Sequence, residues 1–183
     1  MFNRILSLLM ILLLSPIFIL VTMLILLEDG TPVFYKQKRV GINNSFFQIY
    51  KFRSMKKNTP NVATHLLENP SQYVLKIGSI LRKLSLDELP NLINIVKGEM
   101  VFVGPRPALY NQDDLMIMRV EARVDKLKPG ITGWAQINGR DEIALEKKVA
   151  YEKEYLERKS FWFDLKIILL TFSSVIKSHG VKH

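Results

Sequence analysis

The order of apolar and polar positions separates one long apolar segment at the N-terminus from a body of shorter, alternating segments. No charged residue occurs from Ile5 to Leu27, and a helix needs about 20 apolar residues to cross the hydrocarbon core of a bilayer. A cleaved signal peptide fits poorly, because the run is too long and no small-x-small site follows it. Most basic residues lie downstream, which predicts that the body faces the cytoplasm.

Ser15-Pro16 interrupts this apolar run near its middle. Proline removes one backbone donor and clashes with the preceding turn, and the Ser15 hydroxyl can bond back to the carbonyl freed near Leu12. Two structures satisfy these constraints. One is a kinked helix that spans the membrane, and the other is a helix broken sharply enough to enter and leave by the same face. Glu28-Asp29, which end the run, fit both.

Behind the apolar run, residues 33–52 alternate apolar and polar positions around Gly41-Ile42-Asn43-Asn44, which predicts a β-hairpin. Lys56–Asn69 is mostly polar and predicts a surface loop. Residues 101–109 predict a short strand that enters a proline-locked turn, and residues 128–140 predict turns. Helical spacing predicts helices over residues 73–84, from near Asp87 to Val96, and over residues 112–127, 143–158 and 160–177. The predicted fold class is α+β, mainly helical.

The last predicted helix is apolar but contains Asp164 and Lys166, which favours an interfacial amphipathic helix over a second span. At its start, Phe161, Trp162 and Phe163 suit the headgroup level of a membrane.

The chain of 183 residues fits one domain plus an appendage, and its net charge of +9 favours an anionic partner. There is no cysteine, which excludes disulfides, thiolate zinc sites and cysteine nucleophiles. The three histidines lack ligand-like spacing. No nucleic-acid-binding motif occurs and the basic residues are scattered, so nucleic acid is not the expected anion.

The stretch "SLDELPNL" places Asp87 beside Glu88. Ser85 and Glu88 match a capping box, or Asp87 itself caps a helix with Pro90 in its first turn. Either way, one acid is explained by the helix start and the other is not. A carboxylate at a helix N-terminus stays ionised, which is the state that a nucleophile or a magnesium ligand requires.

Cationic side chains accompany these acids along the sequence. Arg106 lies between two prolines in "GPRP", which fixes the direction of its backbone, and guanidinium groups suit bidentate binding of phosphate. Lys51, Arg53 and Arg82 are the other candidates. The alternative role for basic residues is contact with anionic lipid headgroups, which is favoured for Lys36, Lys38, Lys56 and Lys57.

Six segments together resemble a known family. With these segments in this order, the chain resembles the bacterial sugar transferases of the monotopic phosphoglycosyl transferase superfamily, also called polyprenyl-phosphate hexose-1-phosphate transferases. Larger relatives carry extra N-terminal spans, so this chain looks like the catalytic unit. The segments are Ser15-Pro16, "KFRSM" (51–55), "LRKLSLDELPNLINIVKGEM" (81–100), "VGPRP" (103–107), "KPGITGWAQINGR" (128–140) and "SFWFDLKIIL" (160–169).

The resemblance implies transfer of a sugar 1-phosphate from a UDP-sugar to polyprenyl (undecaprenyl) phosphate, with release of UMP. This is the first membrane step of capsule, O-antigen or glycoprotein glycan synthesis, on the cytoplasmic face of the bacterial inner membrane. Asp87 is implied to form a covalent aspartyl-phosphosugar intermediate with Mg²⁺ bound. Glu88 is its partner in the catalytic pair, with either a supporting or a metal-linked role. Substrate or phosphate contacts are implied for Lys51, Arg53, Arg82, Arg106, Arg140 and Glu152.

The resemblance also implies that residues 1–27 form a re-entrant membrane helix broken at Ser15-Pro16, and that residues 28–183 form the membrane-associated catalytic domain. The family usually shows Tyr-Asp-x-x-Tyr before the last helix, whereas this chain has Glu152 at the acidic position. "TPNVAT" (59–64), "PRPALYNQ" (105–112) and the terminal "HGVKH" resemble a subgroup that uses N-acetylated 6-deoxyhexoses such as FucNAc or QuiNAc.

The alternatives to a sugar transferase are a non-enzymatic, basic, membrane-anchored scaffold and a polyprenyl-phosphate phosphatase. The protein could act as an oligomer.

Overall fold

A computed structural model of the protein describes residues 1–60, 69–139 and 143–176. Helices dominate, and the strands form two small two-stranded sheets, which confirms the α+β class. The helices are α1 (Phe2–Leu13), α2 (Ser15–Asp29), α3 (Pro70–Tyr73), α4 (Lys76–Lys83), α5 (Asn91–Lys97), α6 (Asp113–Glu121), α7 (Trp134–Ile137), α8 (Leu145–Arg158) and α9 (Phe161–Ile176). The strands are β1 (Phe34–Val40), β2 (Phe46–Phe52), β3 (Val101–Val103) and β4 (Gly130–Thr132), and short 3-10 turns cover Ile42–Asn44, Leu86–Glu88 and Val124–Lys126.

The predicted hairpin is present. Strands β1 and β2 pair antiparallel, with Phe34 opposite Phe52 and Val40 opposite Phe46. The turn between them needs positive φ at Asn43 and Asn44 (52° and 57°), a conformation that asparagine tolerates better than most residues. The alternating pattern was sufficient here because both strands are seven residues long.

A second sheet was not predicted. Strand β3 pairs in parallel with β4, and Val101 and Val103 lie opposite Gly130 and Thr132. Residues 128–140, predicted to be rich in turns, also supply β4 and the short helix α7, neither of which was predicted. A strand of three residues is too short to show a periodicity of two.

The N-terminal apolar run is broken where the sequence predicts it. Helices α1 and α2 are bent by 62° relative to each other, and the Ser15 hydroxyl donates to the Leu12 carbonyl at 2.8 Å, the bond expected from the Ser-Pro step. Among the described residues, no single helix is long and apolar enough to cross a membrane. The bent pair meets that criterion jointly, by length and composition.

Both halves of the bent pair lie against the body of the protein. From α1, Ser7 donates to the Leu92 carbonyl at 2.8 Å and Arg4 to the Lys97 carbonyl at 3.3 Å. From α2, Val21 and Ile25 join a buried cluster with Phe52, Leu75 and Leu81. Their outer faces expose apolar side chains: Ile5, Leu8, Leu9, Leu12, Leu13, Ile19, Leu20, Met23 and Leu27.

The acidic end of α2 connects to the elements that carry the predicted site. Glu28 accepts hydrogen bonds from the backbone N–H groups of Lys76 (2.6 Å) and Ile77 (3.1 Å), at the start of α4. Asp29 forms an ion pair with Arg53, immediately after β2. These two acids therefore fix the end of α2 to the start of α4 and to the segment after β2.

Several predicted helix boundaries shift. The helix predicted over residues 73–84 begins at Lys76, and the one predicted over residues 112–127 ends at Glu121 before a separate 3-10 turn. The last two helices agree closely. Phe161 and Trp162 of α9 are exposed as predicted, but the headgroup position predicted for Phe163 is wrong, because this side chain is buried with Ile167 in a hydrophobic cluster. The predicted loop Lys56–Asn69 lies mostly outside the described residues.

Candidate active site

The Asp87–Glu88 pair lies in the 3-10 turn between α4 and α5. The predicted helix start at Asp87 is wrong, because α5 begins at Asn91, although it ends as predicted before Gly98, whose φ is 84°. Ser85 has a left-handed backbone (φ 55°) and makes no capping bond, so the capping box is also wrong. The chain turns here through an αL residue instead of entering a helix directly.

The electrostatic surroundings of Asp87 differ from those expected at a helix N-terminus. Burial raises the pKa of Asp87 above its ordinary value, and the neighbouring Glu88 carboxylate acts in the same direction, while Lys51 and Arg82 oppose the rise. The site thus holds a half-buried carboxylate whose ionised form depends on nearby cations rather than on a helix dipole.

Glu88 joins two of the predicted cations. Its Oε1 accepts a hydrogen bond from Lys51 Nζ at 2.6 Å and lies 3.8 Å from Arg106 Nη1. These side chains are partly exposed, so the pairing adds little to stability. The pairing instead fixes geometry, because Glu88 holds Lys51 of β2 beside Arg106 of the GPRP turn (residues 104–107).

A cleft opens at this junction. Its polar lining combines three cations with one carboxylate, which suits an anionic ligand with several phosphate oxygens. Arg82 lies next to Asp87 and is oriented by a 2.8 Å bond from its Nε to the Ser54 hydroxyl. The cleft is lined by Arg39, Ile49, Lys51, Glu88, Asn91, Met100, Arg106, Pro107, Gly130 and Ile131.

Two arginines that the sequence did not single out hold the GPRP turn by its carbonyl oxygens. Arg119 donates to the Arg106 carbonyl at 2.9 Å, and Arg39 donates to the Pro107 carbonyl at 3.0 Å. Arg119 is itself fixed by Glu152, which accepts from its Nε at 2.8 Å and is 2% exposed. Glu152 is therefore connected to the GPRP turn through Arg119, which binds the backbone of Arg106.

The structure brings together Lys51, Arg82, Asp87, Glu88 and Arg106, and it places two other candidates elsewhere. Arg53 is buried, and its guanidinium binds Asp29 and the carbonyls of Gly30 and Pro32 instead of facing the cleft. Glu152 is buried behind the GPRP turn. Arg140, the remaining candidate, lies outside the described residues.

One missed residue had a usable signal in the sequence. Lys36 and Lys38 point to solvent from one face of β1, whereas Gln37 and Arg39 are half-buried on the other. Side chains alternate between the two faces of a strand. The sequence positions alone therefore place Arg39 on the opposite face from Lys36 and Lys38, which we assigned to lipid contact. Arg119 offered no such signal, since a charged helix of this kind usually faces solvent.

The residues of this site fit a magnesium ion in a limited way. No cluster of three or more acidic, histidine or cysteine side chains occurs in the described part of the chain. Magnesium, however, commonly uses one or two carboxylates together with water and substrate phosphates. Glu88 is paired with Lys51 and Arg106, so Asp87 is the carboxylate suited to such an ion.

Comparison with known proteins identifies the class of this site. The bacterial sugar transferase family matches residues 1–178. An uncharacterised sugar transferase, EpsL of Bacillus subtilis, is 43% identical over 92% of this chain and 82% of its own length. The exopolysaccharide production protein ExoY of Sinorhizobium fredii is 37% identical over 98% of this chain and 85% of its own length.

A third relative has an activity in its name. The UDP-glucose:undecaprenyl-phosphate glucose-1-phosphate transferase of Escherichia coli is 40% identical over 91% of this chain, which spans 38% of that longer protein. The chain belongs to the bacterial sugar transferase family. It is a sugar-phosphate transferase, which confirms the enzymatic interpretation of the sequence over the scaffold.

Proposed function

We propose that this enzyme transfers a sugar 1-phosphate from a UDP-sugar to undecaprenyl phosphate and releases UMP. The observation that carries the proposal is the arrangement of Lys51 and Arg106 around Glu88, next to Asp87. Both substrates are anionic, and their approach requires cations at the place where the phosphoryl group moves. The glycan would be a capsule, an O-antigen, an exopolysaccharide or a glycoprotein glycan.

Asp87 is the proposed nucleophile. Its carboxylate attacks the β-phosphorus of the UDP-sugar, a bond forms to that phosphorus, and the bridging oxygen leaves with its electron pair on UMP. An oxygen of the lipid phosphate then attacks the same phosphorus and returns Asp87 to its ionised form. Two displacements replace one direct transfer between two anions.

The other residues have supporting roles in this proposal. Arg106, Lys51 and Arg82 neutralise charge on the transferring phosphoryl group. Glu88 keeps Lys51 and Arg106 next to each other. A magnesium ion held by Asp87 and the substrate phosphates would supply further charge neutralisation.

Residues 1–27 are proposed to dip into one leaflet of the bacterial inner membrane and return, leaving residues 28–183 on the cytoplasmic face. Arg4 at the start of α1 and Glu28 and Asp29 at the end of α2 all bind the same body, which supports a helix pair whose two ends lie on one side. The exposed Phe161 and Trp162 of α9 add apolar surface for contact with lipid. The lipid phosphate would then meet the cleft at headgroup level.

The transfer reaction is tested with purified enzyme, undecaprenyl phosphate and a panel of UDP-sugars. We expect release of UMP together with a lipid-linked sugar for one sugar or a small group. The panel should contain UDP-glucose and the N-acetylated 6-deoxyhexoses FucNAc and QuiNAc, which the subgroup motifs favour. Release of inorganic phosphate without nucleotide would indicate a phosphatase instead.

The re-entrant topology is tested by cysteine labelling, since the native chain has no cysteine. Asn3→Cys is expected to stay unlabelled by a membrane-impermeant maleimide in spheroplasts and to react after the membrane is permeabilised. Asn58→Cys, at an exposed position of the body, is the matched control and should behave identically. Labelling of Asn3→Cys alone in intact spheroplasts would instead establish a spanning helix.

A further inference from the structure

Two asparagines of helix α5 have opposite hydrogen-bonding states. Asn94 is fully buried, and its carboxamide accepts from the Tyr50 N–H at 3.1 Å and donates to the Gln48 carbonyl and to Glu99, both at 2.7 Å. Asn91, one turn earlier, is 2% exposed, and its Oδ1 has no hydrogen-bond donor among the described residues.

Such an acceptor is costly to keep. Burial removes water from the carbonyl oxygen, and without a donor the lost hydration is not replaced. Buried polar atoms without partners in native proteins call for an explanation, and a functional site is a common one. Asn91 has a location that supplies such an explanation, since it lines the cleft together with Lys51, Glu88 and Arg106.

We propose that Asn91 Oδ1 accepts a hydrogen bond from a hydroxyl or N–H group of the nucleotide sugar. This inference rests on the proposed function and assigns a further binding residue to the same site. The lipid phosphate carries acceptor oxygens, which suit Lys51 and Arg106 but cannot satisfy Asn91. A nucleotide sugar carries hydroxyl and N–H donors, so Asn91 contributes to recognition of this substrate.

The energetic consequence is selectivity. A buried acceptor that gains its donor only when the correct substrate binds rejects analogues without that donor, because the acceptor then stays unpaired. Asn91 should therefore discriminate between UDP-sugars, whereas the cations of the cleft bind the phosphates that all of them share.

The test uses the UDP-sugar that the wild-type enzyme turns over and the nearly isosteric variant Asn91→Leu. We expect kcat/KM for the UDP-sugar to fall by about 10- to 100-fold, while kcat/KM for undecaprenyl phosphate stays unchanged. A series of analogues then identifies the donor: deoxyfluoro sugars and riboses, and uracil methylated at N3. For one analogue, kcat/KM with the wild-type enzyme should be well below that of the parent UDP-sugar. In Asn91→Leu the same analogue and the parent sugar should have similar kcat/KM values.

The melting temperature distinguishes a substrate-binding role of Asn91 from a structural one. Loss of a structural residue lowers the melting temperature, whereas loss of an unsatisfied binding residue does not. The melting temperature of Asn91→Leu should equal or exceed that of the wild type, because the substitution removes an unsatisfied buried atom. Asn94→Leu is the matched comparison and should melt at a lower temperature, because it breaks bonds to Gln48 and Tyr50.

Several results would overturn the assignment of Asn91. One is a melting temperature of Asn91→Leu clearly below that of the wild type. Others are an unchanged kcat/KM for the UDP-sugar, or the same loss of kcat/KM with every analogue in both proteins. A change of Asn91→Leu confined to the Mg²⁺ dependence of the activity would also contradict it. A wild-type enzyme that releases UMP from none of the UDP-sugars contradicts the proposed function itself, which keeps the two failures distinct.

Discussion

Asp87→Asn abolishes UMP release, with a loss of about 10⁴-fold or more in kcat, because the carboxamide cannot form the phosphoryl bond that the carboxylate forms. The fold and the association with membrane vesicles are retained, since the substitution keeps the shape of the side chain. UMP release from the UDP-sugar and undecaprenyl phosphate is the measurement. Asp113→Asn, an exposed acid at the start of α6, is the matched control and should keep full activity.

The pKa of Asp87 makes the same variant informative about stability. Burial raises the pKa of Asp87 in the folded protein, so between the unfolded and the folded pKa of this carboxyl the native state holds a proton that the unfolded chain has already released. The contribution of Asp87 to the free energy of unfolding is therefore lost as the pH rises from the pKa of Asp87 in the unfolded chain through its pKa in the folded protein. At neutral pH the wild type bears this cost, and Asp87→Asn should melt at an equal or higher temperature.

The pH–rate profile follows from the same shift. The acidic limb of kcat/KM should lie at higher pH than an ordinary aspartate would give, because the nucleophile must be ionised.

UMP release by Asp87→Asn at the wild-type rate would exclude Asp87 as the nucleophile. A destabilised variant would show instead that the carboxylate is held by bonds essential for the fold.

Glu152→Leu destabilises the protein by about 3–5 kcal/mol, since it leaves the Arg119 guanidinium buried without its carboxylate. Glu152 and Arg119 are 2% and 7% exposed, and they form two hydrogen bonds with each other. Chemical denaturation of the wild type and the variant measures the free energy of unfolding. Glu152→Asp, which keeps the carboxylate on a side chain one methylene shorter, should retain much more of this stability.

A double variant separates stability from positioning. Arg119→Met with Glu152→Leu removes both buried charges and should recover most of the lost stability. The Arg106 carbonyl still lacks its donor, so kcat should remain about 10- to 100-fold below the wild type as the GPRP turn shifts. Full activity in the double variant would show that the pair only stabilises the fold.

The parts of this protein that follow from local physics could be predicted. The Ser15 hydroxyl bonds to the Leu12 carbonyl as the Ser-Pro step requires, and the hairpin has the turn that its asparagines allow. In both cases the interacting groups are close in sequence, so the pattern already contains the determining interaction.

The division of roles among the cations could not be predicted in this way. Lys51 and Arg53 are two positions apart, yet Lys51 pairs with Glu88, which is 37 positions away, and Arg53 with Asp29, which is 24 positions away. The ion-pair partner decides whether a basic residue lines the cleft, as Lys51 does, or binds the end of α2, as Arg53 does. Nothing in the local sequence carries that choice.

The sequence by itself determined the apolar N-terminal run with its break, the α+β class, and the motifs that group the acids with the cations. Only the tertiary structure decided that Asp87 lies in a 3-10 turn where burial raises its pKa, and that Glu152 binds Arg119. The physical reason is that burial and long-range pairing set both properties. These depend on which segments meet in space, whereas helix breaks and hairpin turns depend on neighbours along the chain.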